Sequence, residues 1–565
     1  MDKPFVAWHR ILLIAVACAF SYLGNPSKAY GQSVPPGYVN VMDYGATGDG
    51  QTDDSAAIIK AIQSASARNL GVYFPNGNYL HMKSLPVNVS LQGASSWAVL
   101  IAGDPNNGCG LVVQGNNLTF TNLAFDDVTY YDITKNPWQL PFPADPTQGI
   151  QTNAITIQSS QSISLNNVWC RDLRSYGLLI LQSQNVVVNN FNSGGFLHRG
   201  AGGGIVIANS NNVQVTNCQL AINGVSISGV QYSQNLSINH NSFYASAILG
   251  LRVKSSQFNY NVFSDQVNGP GLNIEFAWGP IVDVEIKGNQ FSIPPNQPWD
   301  PTDQYPYAIV FVNLDYYGAF LFNGIDISDN TIDGVGSEIC ILFYGVFTNV
   351  SIKNNKINHI EQRLGGYPSA GIVMLNTINA VIAQNTMTDI DGTAITFTED
   401  PRFPQTCSVL VSGNTLKNCC RSAIPNITPP PNAVMQFSAG AYTGGNPVFT
   451  NNTYLGNDDP GGGDQGSPDY FIYCDQPGAT ANGNAAGTLP SYFAAGNSGG
   501  TGGGSPGGNA GGPGGGGGGS GGGGRGSTKH GLPYHGSPRH SGHTHPRFNH
   551  NHVIHTHETH LKTGL

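Results

Sequence analysis

The stretch "GIVMLNTINAVIAQNTMTDIDGTAITFTEDPRFPQTCSVLVSGNTL" (371–416) decides the fold, because it holds two copies of one two-part unit. Each copy has an alternating run, "GIVMLNT" from Gly371 and "AITFTED" from Ala394. Each then has an asparagine with an apolar residue two positions on, "AQNTM" at Asn385 and "SGNTL" at Asn414. Moving upstream, the asparagine element recurs as "KNNKI" (Asn355), "SDNTI" (Asn330), "KGNQF" (Asn289), "NYNVF" (Asn261) and "INHNSF" (Asn241). Earlier copies are "VTNCQL" (Asn217), "VVNNF" (Asn190) and "SLNNVW" (Asn167). From Asn167 to Asn414 the spacings are 23, 27, 24, 20, 28, 41, 25, 30 and 29 residues. A period of this size is one turn of a solenoid, and the longer intervals mark loops inserted into single coils.

The alternating element recurs as "GLLILQS" (Gly177), "GIVIANS" (Gly204), "GVSISG" (Gly224), "GLRVKS" (Gly250), "GLNIEFA" (Gly271) and "AIVFVNL" (Ala308). Its second and fourth positions are apolar: Leu178/Ile180, Ile205/Ile207, Val225/Ile227, Leu251/Val253 and Leu272/Ile274. A side-chain period of two puts these inside and the third and fifth positions outside. Strands of successive coils then lie about 4.8 Å apart, and the turn asparagines stack in hydrogen-bonded ladders. A leucine-rich horseshoe is the rival solenoid, but its leucine consensus and its helices are absent. The expected fold class is therefore all-β: a right-handed parallel β-helix from about Val41 to Leu455, within a domain spanning 33–496.

Two segments stand apart from that domain. Lys3 and Arg10 precede an apolar run from Ile11 to Leu23, and the small-residue pattern Ala29-Tyr30-Gly31 follows. This reads as a secretory signal over 1–31 cut near Gln32, the run being short for a membrane span. Lipoprotein processing at Cys18 is the less well fitting variant. At the other end, 497–529 is a glycine-rich linker, which cannot bury apolar surface. Residues 530–565 hold ten of the fifteen histidines and read as a disordered tail. Neutral imidazoles bind Zn, Cu or Ni ions weakly when nothing orients them; the alternative is a polar tail with no specific role.

The net charge of −9 argues against nucleic acid, which selects a basic footprint. Eight cysteines beyond Cys18 permit disulfides, with Cys407, Cys419, Cys420 and Cys474 as candidates. No metal-ligand spacing is legible, so no metal or cofactor is expected.

A solenoid needs its ends covered. Thr52 or Asp53 is placed to cap a helix in "DDSAAIIKAIQSASAR" (53–68), whose Ala57, Ile58, Ala61, Ile62 and Ala65 share one face. This lies in the cap region 41–80. There, "VMDYGATGDGQTDDSAAIIKAI" (41–62) followed by "GVYFPNGNYL" (71–80) resembles the N-terminal signature of the pectate-lyase-like superfamily. Its members include polygalacturonase-like hydrolases, polysaccharide lyases and phage tailspikes. The resemblance implies the β-helix and an acidic or neutral polysaccharide as partner; it identifies fold rather than reaction.

Charge on the outward strand positions directs the search for chemistry. Most of these positions are neutral, but two successive elements present Arg252 and Lys254, then Asn273 and Glu275. Aligning the elements by their glycines places Arg252 beside Asn273 and Lys254 beside Glu275. In β-elimination, cations neutralise a uronate while a base removes a proton, roles for Arg252 and Lys254. In hydrolysis Glu275 needs a second carboxylate, with Asp265, Asp283 and Glu285 the candidates. A cross-strand salt bridge locking the register is the structural alternative. "GLRVKS" also resembles the Arg-x-Lys element of polygalacturonases, whose remaining catalytic elements have no match here. "VKSSQFNYNVF" (253–263) resembles the lysine-bearing coil of the chondroitinase B and alginate lyase family, with Glu275 where that family carries arginine.

Further binding candidates are His198 and Arg199 in "FLHRGAGGG", and Tyr130, Tyr131 and Trp138 in an insertion over 126–152, where aromatic rings can stack on sugars. A second inserted loop around Trp299 to Tyr307 has similar composition, and His240 is expected to be structural within the asparagine ladder. The sequence thus supports a secreted carbohydrate-active protein, lyase or hydrolase, with a non-catalytic polysaccharide-binding or adhesion β-helix as the alternative and a rigid surface rod as the third class.

Overall fold

The structure is a computed structural model that describes residues 33–95, 98–103, 110–127, 153–170, 176–193, 204–221, 224–228, 231–244, 247–264, 271–275, 281–292, 307–313, 322–334, 339–360, 369–398, 408–420, 433–438, 446–456, 470–474, 479–487 and 489–493. The leader, the linker and tail, Asp265, His198, Arg199, Tyr130, Tyr131 and Trp138 lie outside the described residues.

The described chain winds into a right-handed parallel β-helix. Each full coil gives one strand to a 15-stranded parallel sheet and the remainder to a 29-stranded one. One coil runs Ile248–Leu251, Val253–Asn259 and Val262–Ser264; the next runs Leu272–Glu275, Val282–Lys287 and Gln290–Ser292. The register holds from coil to coil. Leu178 pairs with Ile205, then Val225, Ile248, Leu272, Ile309 and Ile341, all pointing inward and buried. Like residues therefore sit on like, and flat rings stack: Phe243, Phe263 and Phe291 lie 4.7 and 4.6 Å apart between centroids. Strands continue past Leu455 to Ser491–Phe493, so the helix is longer than the repeat motif alone suggested.

The helix forms over Ser55–Ala67 and sends Ile58, Ala61, Ile62 and Ala65 into the first coils of the core. Its N-cap is Asp54, one or two positions later than the sequence indicated, and the Asp54 carboxylate does not cap it. That carboxylate turns back to accept from the Thr47 and Gly48 amides at 2.7 and 3.1 Å, closing the glycine-rich turn; burial raises its pKa above the usual carboxylate value. Asp49, on the exposed side of the same turn, is held at about 2 by hydrogen bonds from the Thr52 and Gln51 amides and the Thr52 hydroxyl.

The asparagine ladder exists, and it is interior. Asn241, Asn261, Asn289, Asn330, Asn355, Asn385, Asn414, Asn452 and Asn484 stack at one corner. Each side-chain amide donates to the next side-chain oxygen, at 2.9 to 3.1 Å. The same Nδ2 donates to a backbone carbonyl of the preceding coil, and the oxygen also accepts a backbone N–H. Asn167, Asn190 and Asn217 belong to a different column, one residue earlier and at the surface; Cys218 takes the ladder position in the Asn217 coil. Each of these three asparagines has φ near +55°, and the ladder position follows it as Val168, Phe191 and Cys218. A shorter buried ladder of Ser160, Ser183, Ser210 and Ser233 secures another corner of the early coils.

The thiols of Cys170, Cys218, Cys340 and Cys419 are free and buried, where a disulfide framework had been admissible. No helix among the described residues is long and apolar enough to cross a membrane.

Candidate functional site

Two corners of each coil adopt φ near +55°, a conformation that suits asparagine and glycine and disfavours other side chains. In the first corner column the residues are Asn185, Asn212, Asn235, Ser255, Asp283, Gly324, Asn349 and Asn379. Asn235 donates to Asn212 and Asn212 to Asn185, both at 3.0 Å; downstream, Asn379 donates to Asn349 at 3.4 Å. Between these stretches three coils carry a serine, an aspartate and a glycine instead. The second column reads Asn167, Asn190, Asn217, His240, Tyr260, Gly288, Asp329 and Asn354. Both columns lack asparagine together in three successive coils, at Ser255/Tyr260, Asp283/Gly288 and Gly324/Asp329; the second column also departs from it at His240, Gln384 and Gly413.

A groove of about 460 Å³ opens at those coils. Its lining is Asn235, Leu236, Ser237, Ser255, Ser256, Gln257, Asp283, Val284, Glu285, Gly324 and Asp326, three carboxylates among neutral polar groups. Strand pairing makes Gln257, Glu285, Asp326 and Ser351 register neighbours on one outward row. Glu285 accepts a hydrogen bond from the Asn259 side-chain amide. That amide is itself fixed, because its oxygen accepts from the Lys287 N–H at 2.9 Å and the Asn259 N–H donates to Asn239 at 2.8 Å. Gly324 leaves room for its neighbour: at φ +72°, a Cβ there would lie 2.6 Å from the Asp283 carboxylate. Lys287 is drawn sideways to Asp329 at 3.7 Å. Among the described residues no three His, Cys, Asp or Glu side chains converge as a metal site.

The residues singled out from the sequence fall differently. The element "GLRVKS" is not one outward-facing strand. The strand in that coil is Ile248–Leu251, so Leu249 pairs with Asn273 and Leu251 with Glu275. The coil turns at Arg252, which has φ +57° and is buried at 8% exposure. Lys254 lies beyond the turn in the other sheet, paired with Gln234 and Val282, and is exposed. The expected neighbours Arg252/Asn273 and Lys254/Glu275 are therefore not neighbours in register. In adjacent coils the glycine or alanine precedes the strand, whereas Gly250 sits within it, so an alignment by glycines is three positions out of register. Asn273 keeps an outward position but is 4% exposed; only the backbone of Glu275 is described. Of the candidate second carboxylates, Asp283 and Glu285 line the groove and Asp326 was missed. A signal was present in the first corner column, where Asn185, Asn212 and Asn235 give way to Ser255, Asp283 and Gly324.

Comparison with known proteins follows the same lines. Residues 38–251 match the family model for rhamnogalacturonase A/epimerase, pectate lyase-like proteins. A pre-neck appendage protein of Bacillus phage B103 is 29% identical over 135 residues, 23% of this chain and 15% of that relative's length. Among solved structures, PfbA, a surface adhesin of Streptococcus pneumoniae, is 15% identical with a TM-score of 0.43, covering 68% of this chain and 90% of that one. The catalytic unit of a thermostable GH87 α-1,3-glucanase from Streptomyces thermodiastaticus strain HF3-3 is 18% identical with a TM-score of 0.40, covering 82% and 71%. The chain is thus a parallel β-helix whose residues 38–251 are similar to rhamnogalacturonase A/epimerase, pectate lyase-like proteins.

Proposed function

We propose that the protein is exported and acts on an extracellular polysaccharide in the groove, hydrolysing a glycosidic bond with Glu285 and Asp326 as its carboxylate pair. One observation carries the reading: these two carboxylates are register partners on neighbouring strands where both surface asparagine columns are interrupted. Neighbouring strands lie about 4.8 Å apart, close to the roughly 5 Å that separates the carboxyls of retaining glycosidases. In such chemistry one carboxyl gives a proton to the leaving oxygen while the other attacks the sugar or activates water. Asn259, which donates to Glu285, suits Glu285 to the acceptor role and leaves Asp326 as proton donor. Lys254, exposed one residue from the groove-lining Ser255, is a cation for a substrate's acidic groups. An elimination centre built from Lys254, Arg252 and Glu275 has less support, since their strands do not bring them into register.

The test is to offer the secreted protein a panel of neutral and acidic polysaccharides and follow reducing ends and unsaturated products separately. Hydrolysis yields reducing ends without unsaturation, and Glu285→Gln or Asp326→Asn should abolish them. Unsaturated products, or full activity in both variants, would overturn the assignment. Retained binding without cleavage by the wild-type protein would favour a polysaccharide-binding or adhesive role. Export is checked by sequencing the N-terminus of the protein recovered from medium, expected at Gln32.

A further inference from the structure

Tyr260 is in the wrong place for a structural residue. It occupies a left-handed corner, φ +57°, in a column filled elsewhere mainly by asparagine and glycine. A bulky side chain in that region is a backbone outlier, and such outliers gather at ligand-contacting sites. Nor is the ring buried in exchange: Tyr260 is 48% exposed, among the most exposed large side chains described. Its orientation is nevertheless fixed. The ring stacks on His240 of the preceding coil at 5.1 Å between centroids and 11° between planes. On the following coil stands Gly288, where a Cβ would come within 2.5 Å of the ring. Any side chain at that position would displace the ring, so the column provides support on one side and clearance on the other.

From this geometry we infer that Tyr260, backed by His240, is a substrate-positioning platform that stacks on a pyranose ring of a glycan lying in the groove. The inference rests on the groove reading above. Tyr260 is the corner residue that directly follows the strand Val253–Asn259, on which the groove-lining Gln257 lies three residues earlier, and this sets the platform at the end of the groove strand. A sugar ring offers flat faces of C–H groups ringed by hydroxyls, and both parts meet partners here. The tyrosine face takes the C–H surface, while the exposed Gln257 and half-buried Asn239 offer polar groups to hydroxyls on the adjacent outward row. Asn259 is already committed on three sides, so it acts as a fixed element of the wall rather than an adaptable one.

The decisive variant is Tyr260→Asn, which restores the residue this column prefers and is therefore expected to fold. Its thermal midpoint should equal or exceed that of the wild type, by about 1–2 °C, through relief of the left-handed strain. Binding of cellohexaose, maltohexaose and hexagalacturonate is measured by calorimetry on wild type, Tyr260→Asn, Tyr260→Phe and Glu285→Gln. The best-bound hexasaccharide should lose about tenfold in affinity with Tyr260→Asn and keep it with Tyr260→Phe. In turnover assays the Tyr260→Asn change should fall on KM with kcat nearly unchanged. Unaltered affinity in Tyr260→Asn, with Glu285→Gln inactive, overturns the platform and leaves the groove reading standing. Lost affinity in Tyr260→Asn, with Glu285→Gln fully active, keeps the platform and overturns the carboxylate assignment. If none of the three sugars binds the wild-type protein, the platform is overturned.

Discussion

Asparagine serves two different ends in this molecule, one inside and one outside. In the interior, nine successive coils carry it at a single corner without interruption, and every polar atom of each buried amide has a partner. On the surface, two corner columns carry it less regularly, for its tolerance of a left-handed backbone, and in three successive coils both lack it. Water can satisfy a surface corner and cannot reach the interior one, so the interior column is constrained by hydrogen bonding and the surface columns only by backbone preference. Surface positions are accordingly where the chain is able to exchange stability for chemistry, and the proposed groove lies at the three coils in which both columns lack asparagine.

The most damaging way to probe this contrast is to break the interior ladder. Asn330→Ala removes the acceptor of the Asn289 amide and N–H and the donor to Asn355. With buried groups costing about 1–3 kcal/mol each when left unpaired, the loss should be about 3 kcal/mol or more, read as a lower midpoint in thermal and urea unfolding. Changing the row on the groove floor should do the reverse. Glu285→Gln and Asp326→Asn should cut turnover by about 10² or more while leaving the unfolding midpoint nearly unmoved. A large stability loss in either variant would mean that the row belongs to the scaffold.

Gly324→Ala sits between these cases. It places a Cβ at φ +72° against the Asp283 carboxylate, and should destabilise by about 1–2 kcal/mol while also disturbing turnover. The smallest effect is expected furthest from the ladders, at Asp49. Its pKa is depressed from the ordinary carboxylate range to about 2, so the stability it supplies is present above the unfolded value and disappears as pH falls through the folded one. Asp49→Asn should thus lower the midpoint slightly at neutral pH. The gap between variant and wild type should close as pH falls through the window between those two values.

Much of the architecture was legible because a solenoid repeats its instructions. Leu178, Ile205, Val225 and Leu272 announce their inward positions by alternation, and Asn241 through Asn414 announce the ladder by their spacing. Errors arose where two rules share one residue type. Asparagine favours both the buried ladder and the left-handed corner before it, so an asparagine ahead of an apolar residue does not say which it is, and Asn167, Asn190 and Asn217 are corners rather than ladder residues. Gly250 showed a related ambiguity, since glycine marks a strand's start in neighbouring coils but lies inside this strand. Part of the candidate site was visible as the carboxylates Asp283 and Glu285. Asp326 and Tyr260 were not, because local alternation does not show which outward residues come together across coils separated by loops of unequal length.

The buried thiols carry a consequence for the life of the chain before it folds. Burial pushes the Cys218 thiol up to about 12, and raises Cys170, Cys340 and Cys419 as well, so once folded these four hold almost no thiolate to attack an oxidant. Those four positions are thereby shielded from the redox potential around the coil. The nascent chain has no such protection: its cysteines ionise normally until each coil closes over them. Exposure to oxidants is then a race between coil closure and cross-linking, decided during synthesis and settled once the solenoid has wound past residue 419.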